Sequence, residues 1–192
     1  MSEVDEKKRR LLQIAGVWGA CGIVGGATPF VSSLYPNRSA QLKGMPVSVD
    51  LTGMGAGEQK TVMWRGKPIW VIKRDNEALS GLSKLDSVLS DPESKVAQQP
   101  EYAKNLYRSI KPDYLVLIGI CTHLGCSPTY RPEKGAIDKD WPGGFFCSCH
   151  GSKFDMAGRV FSGVPAPTNL EVPPHHFNGD NQLIIGSEGE DE

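Results

Sequence analysis

No sign of charge predominates in this chain. Its 192 residues carry 21 Lys and Arg against 22 Asp and Glu, a formal net charge of −1. No basic face of the kind that tracks a phosphate backbone results, which excludes nucleic acid as a partner. Charge is missing altogether between Arg10 and Arg38, and Leu11–Leu34 reads LLQIAGVWGACGIVGGATPFVSSL. As a helix this stretch reaches about 36 Å, enough to cross a hydrocarbon core of about 30 Å. It exceeds the apolar core of about 7 to 15 residues of a cleaved signal, and Pro29 and Pro36 follow in place of an A-x-A site. Residues 11–34 are therefore predicted to be an uncleaved transmembrane anchor. Its Gly16, Gly19, Gly22, Gly25 and Gly26 suit close packing against a partner's transmembrane helix. Lys7-Lys8-Arg9-Arg10 directly precedes it, so positive-inside bias puts residues 1–10 in the cytoplasm and the folded domain on the far side. The Arg9-Arg10 pair also permits twin-arginine export. Cys21, within the span, lacks the aliphatic residue of a lipoprotein box three positions earlier and reads as a buried structural thiol.

Cysteine and histidine are scarce, five and four in all, yet most of them fall into two boxes. The first is Cys121-Thr-His123-Leu-Gly-Cys126 and the second Cys147-Ser-Cys149-His150-Gly-Ser152. Together they offer four thiols and two imidazoles. Tetrahedral zinc needs four ligands and can draw on several combinations from this set. A [2Fe-2S] cluster also needs four, in one variant two thiolates on one iron and two imidazoles on the other. Either way two side chains are left over. Only the adjacent His175 and His176 remain outside the boxes, too few for a further iron site built from two histidines and a carboxylate. They follow Pro173-Pro174 and read as surface loop residues.

The boxes, C-T-H-L-G-C and C-x-C-H-G-S, resemble those of the Rieske iron-sulfur family almost letter for letter. With the anchor, the chain is similar to the Rieske subunit of proteobacterial cytochrome bc complexes (ubiquinol:cytochrome c oxidoreductase, proton-translocating). That resemblance implies one 2Fe-2S cluster, with Cys121 and Cys147 on one iron, His123 and His150 on the other, and a disulfide between Cys126 and Cys149. A disulfide accords with an oxidising compartment. By the same resemblance Ser152 donates its hydroxyl to a cluster sulfur, Leu124 shields the cluster and faces the quinol pocket, and Gly163-Val-Pro165-Ala-Pro167 is a proline loop covering the cluster. Phe154 departs from the tyrosine with which high-potential members donate a second hydrogen bond to a ligand sulfur.

The resemblance further implies electron transfer from ubiquinol to a c-type cytochrome, with a cytochrome b subunit as partner, in a dimeric complex of the bacterial inner membrane whose Rieske domain is periplasmic. The chemistry turns on imidazole: a ligating histidine keeps a second ring nitrogen, which can accept a hydrogen bond from a quinol hydroxyl and take up a proton. His150 is the expected quinol-facing residue and His123 the second choice. The alternative is the Rieske small subunit of another periplasmic oxidoreductase.

The expected fold is mainly β: the single N-terminal transmembrane helix, then a Rieske-type antiparallel β sandwich over 47–186, with an inserted cluster-binding subdomain at about 119–168. Residues 35–46 read as a linker, a hinge by resemblance. Strand runs stand at 47–51, 60–64, 68–72 and 114–118, the second and third joined across Arg65-Gly66-Lys67 as a hairpin. Residues 159–161 and 181–185 are expected to close the sheets. Leu79, Leu82, Leu85 and Leu89 lie near helical spacing, so 75–112 is expected as a helical insertion with a second short helix at 101–110. Residues 187–192 form an acidic, solvated tail.

Overall fold

A computed structural model describes residues 5–35 and 44–189, in two compact units, Met1–Leu42 and Lys43–Glu192. Most of the expected hinge, the first four residues of the basic N-terminus and the last three of the acidic tail lie outside the described residues. In the first unit helix α1 runs Glu6–Ser33, taking in the basic tract as well as the apolar stretch. Asp5 caps it, its carboxylate accepting from the Lys7 amide at 3.1 Å. The helix is long and apolar enough to cross a membrane, and Cys21 lies exposed along it rather than buried.

The second unit is built on three antiparallel three-stranded sheets. The first has the order β1 (Val47–Asp50), β9 (Gln182–Ile185), β8 (His175–Asn178). The second is β2 (Gln59–Trp64), β3 (Lys67–Lys73), β4 (Tyr114–Ile118). The third is β5 (Thr129–Arg131), β6 (Gly144–Cys147), β7 (Ser152–Phe154). Strands β2 and β3 pair from Gln59↔Ile72 to Trp64↔Lys67. Arg65 and Gly66 both take positive φ, 49° and 74°, the two-residue turn whose twist matches a hairpin.

Strands β3 and β4 of the middle sheet are buried on both faces, and period-2 alternation divides their side chains. Ile69, Val71, Val116 and Ile118 pack with Val49, Leu183 and Ile185 of the first sheet, which makes the sandwich. Trp70, Ile72, Leu115 and Leu117 point the other way, onto Phe145 and Phe154 of the third sheet and onto Cys121 and Cys147. The middle sheet thus stands between two cores, one inside the sandwich and one shared with the residues of the two boxes.

Helix is sparser than expected over 75–112. Asp75 caps a short α2 (Asn76–Gly81), its carboxylate accepting from Ala78 N at 2.7 Å, and the chain tightens into 3₁₀ turns at Leu82–Val88 and Glu101–Ala103. Gly81 and the Asp91-Pro92 step interrupt the leucine period. Around 105–109 the Asn105 side chain bonds Tyr102 O, Ser109 O and Tyr107 N instead of letting a helix continue. The strand expected at 159–161 reduces to the single bridges Phe154↔Val160 and Leu89↔Phe161. Asp155 Oδ1 accepts from the amides of Ala157 and Arg159, both at 2.8 Å, and curls the chain into a turn.

His175 corrects the surface reading. It opens β8 and is wholly buried, its amide donating to Tyr102 Oη at 2.7 Å. Its Nδ1 lies 2.8 Å from the Pro173 carbonyl and so carries the proton, while Nε2 is buried with no partner. Burial pushes its pKa down to about 4, only partly opposed by the Pro173 carbonyl. The folded protein therefore resists protonation that the unfolded chain accepts near 6.5. This stabilising contribution is whole above about pH 6.5 and disappears as pH falls through 4, a loss of about 3 kcal/mol. Thermal midpoints measured between pH 7 and 4 should fall steeply for the parent and less steeply for His175→Leu. Parallel slopes would remove His175 from the account.

Candidate metal centre

Box one leaves β4 through Gly119, where a Cβ would stand 2.3 Å from the Trp70 ring. Only glycine fits, and the chain turns there into the loop. Cys121 N donates to Cys126 O at 2.7 Å, and Gly125 N returns to Cys121 O at 3.1 Å. Box two is the β6–β7 connection: Cys147 ends β6, pairs with Ser152, and its carbonyl accepts from Gly151 N at 2.8 Å. The two loops repeat one design. In each, a cysteine carbonyl is closed by the amide of a glycine four residues on, and both glycines sit in the left-handed region, φ 83° and 81°.

Those two cysteines, Cys121 and Cys147, are the buried ones, set in the apolar core with Leu117, Phe145 and Phe154. Burial pushes the Cys147 thiol up, with a smaller contribution from the neighbouring Cys121. Cys126 and Cys149 are joined as a disulfide with Cα atoms 6.7 Å apart, and the sulfurs of Cys126, Cys147 and Cys149 lie within 4.8 Å of one another. The imidazoles of His123 and His150 meet edge to face, centroids 4.7 Å apart. His123 Nδ1 is buried without a hydrogen-bond partner, whereas His150 is exposed and Leu124 is 71% exposed. The site is therefore polarised, with thiols toward the core and imidazoles toward the surface. Two thiols, two imidazoles and an orphaned buried ring nitrogen suit a soft metal centre, since a metal ion supplies what that nitrogen lacks.

A third segment closes over the loops. Val164 and Ala166 of the proline loop pack on the same core as Cys121 and Cys147. Thr122 Oγ1 donates to Thr168 O at 2.7 Å, tying this segment to box one. Ala166 N donates to the buried Ser152 Oγ at 3.0 Å, tying it to box two. The bond uses Ser152 as an acceptor and leaves its hydroxyl proton to donate elsewhere. Phe154, fully buried in this core, has no hydroxyl to add.

Sequence reasoning missed the supports behind the loops. Asn169 accepts from Val160 N at 2.8 Å and donates to Asp91 O at 3.0 Å. Three buried arginines, Arg74, Arg108 and Arg159, tie 75–112 to 155–170. Only the Asp155/Arg159 spacing of four carried a signal, and in a sequence it looks like an ordinary surface pair.

Residues 86–174 match the Rieske [2Fe-2S] domain family. The ubiquinol-cytochrome c reductase iron-sulfur subunit of Allochromatium vinosum is 53% identical over 188 residues, 96% of this chain and 91% of that protein. The subunit of the same name from Bradyrhizobium diazoefficiens is 40% identical over 96% of this chain and 98% of its own length. Among solved structures, a chain of a hyperthermophilic respiratory Complex III aligns with TM-score 0.47 and 26% identity, covering 88% of this chain and 98% of that one.

Proposed function

The chain belongs to the Rieske family as an iron-sulfur subunit of ubiquinol-cytochrome c reductase, and on that premise we propose that Cys121 and Cys147 hold one iron of its [2Fe-2S] cluster while His123 and His150 hold the other. The observation that carries the assignment is the burial split: both unpaired box cysteines are in the core, and the two imidazoles meet outside it, His123 half-buried and His150 exposed. The two remaining box cysteines are taken by the disulfide. When bound, the cluster supplies a one-electron acceptor of raised potential, because imidazoles donate less negative charge than thiolates. His150, exposed and in contact with the His123 ring, accepts the hydrogen bond of a quinol hydroxyl at its outer ring nitrogen and holds the proton there. Leu124 covers the approach with apolar surface and excludes water. Ser152, whose oxygen accepts from Ala166 N, keeps a hydroxyl proton that it would donate to a cluster sulfur.

The electron passes on to a c-type cytochrome, and a cytochrome b subunit completes a dimeric complex in the bacterial inner membrane. Helix α1 anchors the chain, with Lys7–Arg10 on the cytoplasmic side and the Rieske domain in the periplasm. Purification in mild detergent tests this: b- and c-type haem should accompany a protein whose reduced form gives a low-g paramagnetic signal. Isolation with a molybdenum subunit instead would favour another periplasmic oxidoreductase.

Phe154 sets a second expectation. One more hydrogen bond to a ligand sulfur is worth about 1 kcal/mol, roughly 40 mV in a one-electron couple. Phe154→Tyr should raise the midpoint potential by about that much in a redox titration. An unchanged or lower value would show that the new hydroxyl does not reach the sulfur.

A further inference from the structure

Arg74, Arg108 and Arg159 are 3%, 0% and 0% exposed, and buried cations ordinarily face carboxylates. Arg159 does: its Nε donates to Asp155 Oδ2 at 2.8 Å and its Nη1 to Asp86 Oδ1 at 3.0 Å. The other two do not. Arg74 donates to the carbonyls of Tyr107, Pro112 and Met156 and to Ser109 Oγ. Arg108 donates to the carbonyls of Ala157, Gly158 and Leu170 and to Gln99 Oε1. Every acceptor of these two is neutral. Asp155 is the one buried carboxylate nearby; Asp86, Asp91 and Asp113 stand at or near the surface, where water screens them. Burial pushes both guanidinium groups down only to about 10, so they remain charged at neutral pH.

Of the two, Arg108 lies against the core that carries the site. Leu170, whose carbonyl takes Arg108 Nη2 at 2.7 Å, belongs to the core that holds Cys121 and Cys147. Arg108 Nη1 lies 3.2 Å from where a Cβ of Gly158 would stand, and the same point is 2.9 Å from Leu117 of that core. The backbone of Arg108 itself takes φ 48° to bring the side chain in. A cluster with two ferric ions, two sulfides, two thiolates and two neutral imidazoles has no net charge, and an added electron makes it anionic.

We propose that Arg108 is a fixed positive charge behind the cluster, whose missing counter-charge is the electron the cluster accepts, so that it raises the cluster's potential. The inference rests on the ligand assignment above, and the experiment separates the two. Midpoint potentials are measured by redox titration of the low-g signal, at low ionic strength, on the full-length protein. Arg108→Met should shift the potential downward, while Arg108→Lys, which keeps the charge and loses the planar fork, should stay near the parent. Gln99→Glu sets a carboxylate against Arg108, where the Gln99 Oε1 accepts from Nη2 at 3.0 Å, and should also shift the potential downward. If neither Arg108 variant accumulates, Gln99→Glu decides alone. Equal shifts for the Lys and Met variants, or no shift for Gln99→Glu, would make Arg108 a staple for irregular backbone and overturn the charge role. Absence of the low-g signal in the parent would instead defeat the cluster assignment on which the inference stands.

Discussion

Cys147→Ala should abolish the low-g signal of the reduced protein and all quinol:cytochrome c activity, while Cys21→Ala leaves both intact. Alanine is the right replacement because a serine hydroxyl can stand in as an oxygen ligand. The expectation follows from what the thiol touches. Cys147 is 2% exposed, in a core with Phe145 and Phe154, and its backbone is fixed on both sides, by pairing with Ser152 and by the Gly151 amide at 2.8 Å. No neighbouring thiol can move in to replace it without breaking the Cys126–Cys149 bond. A thiolate is both ligand and charge, so its loss removes a bond and unbalances the centre. Cys121→Ala should match it, since the two loops are built alike. A variant that kept the full signal would show that Cys147 is not a ligand. A colourless parent protein that bound zinc would point to the tetrahedral alternative.

The parts of the fold legible in the sequence were those where local pattern and tertiary need agree. The β2–β3 hairpin carries β-branched and aromatic residues on both sides of Arg65-Gly66, and β3 and β4 are apolar runs because both their faces are covered. Strands β5 to β7 are three or four residues each and owe their strand character to pairing, β5 with β6 across residues 132–143 and β6 with β7 across the box-two loop, which no local period records. The leucines of 75–112 match a helical period, yet Leu82 and Leu89 are buried by 3₁₀ turns and an extended residue. Here packing overrode propensity. In the site, residue types and spacings were readable, but the inward thiols and outward imidazoles are consequences of β4 and β6 entering the loops from the core. The buried histidine of β8 and the arginines behind the loops were invisible for a shared reason. Polar residues read as surface unless a partner is known; the arginines' partners are backbone carbonyls far away in sequence, and His175 is covered by the equally distant Tyr102.

The disulfide should decide how long the cluster survives rather than whether it forms. It joins residues 23 apart in sequence, and a cross-link closing a loop of that size stabilises by about 3 kcal/mol, subject to strain. Without it, box one and box two are held together through the bound cluster and through the proline loop, by Thr122 to Thr168 and Ala166 to Ser152. Those ties suffice to assemble the site. The double variant Cys126→Ala/Cys149→Ala should therefore give the low-g signal but lose it at least about tenfold faster on warming or with an iron chelator. The single variant Cys126→Ala should fare worse than the double. It frees the Cys149 thiol, whose sulfur lies within 4.8 Å of Cys147, and a competing thiolate there can displace an imidazole. Time courses of absorbance and paramagnetic signal on the three proteins test both steps. Equal lifetimes for the parent and the double variant would deny the cross-link its role, and equal lifetimes for single and double would deny the competition.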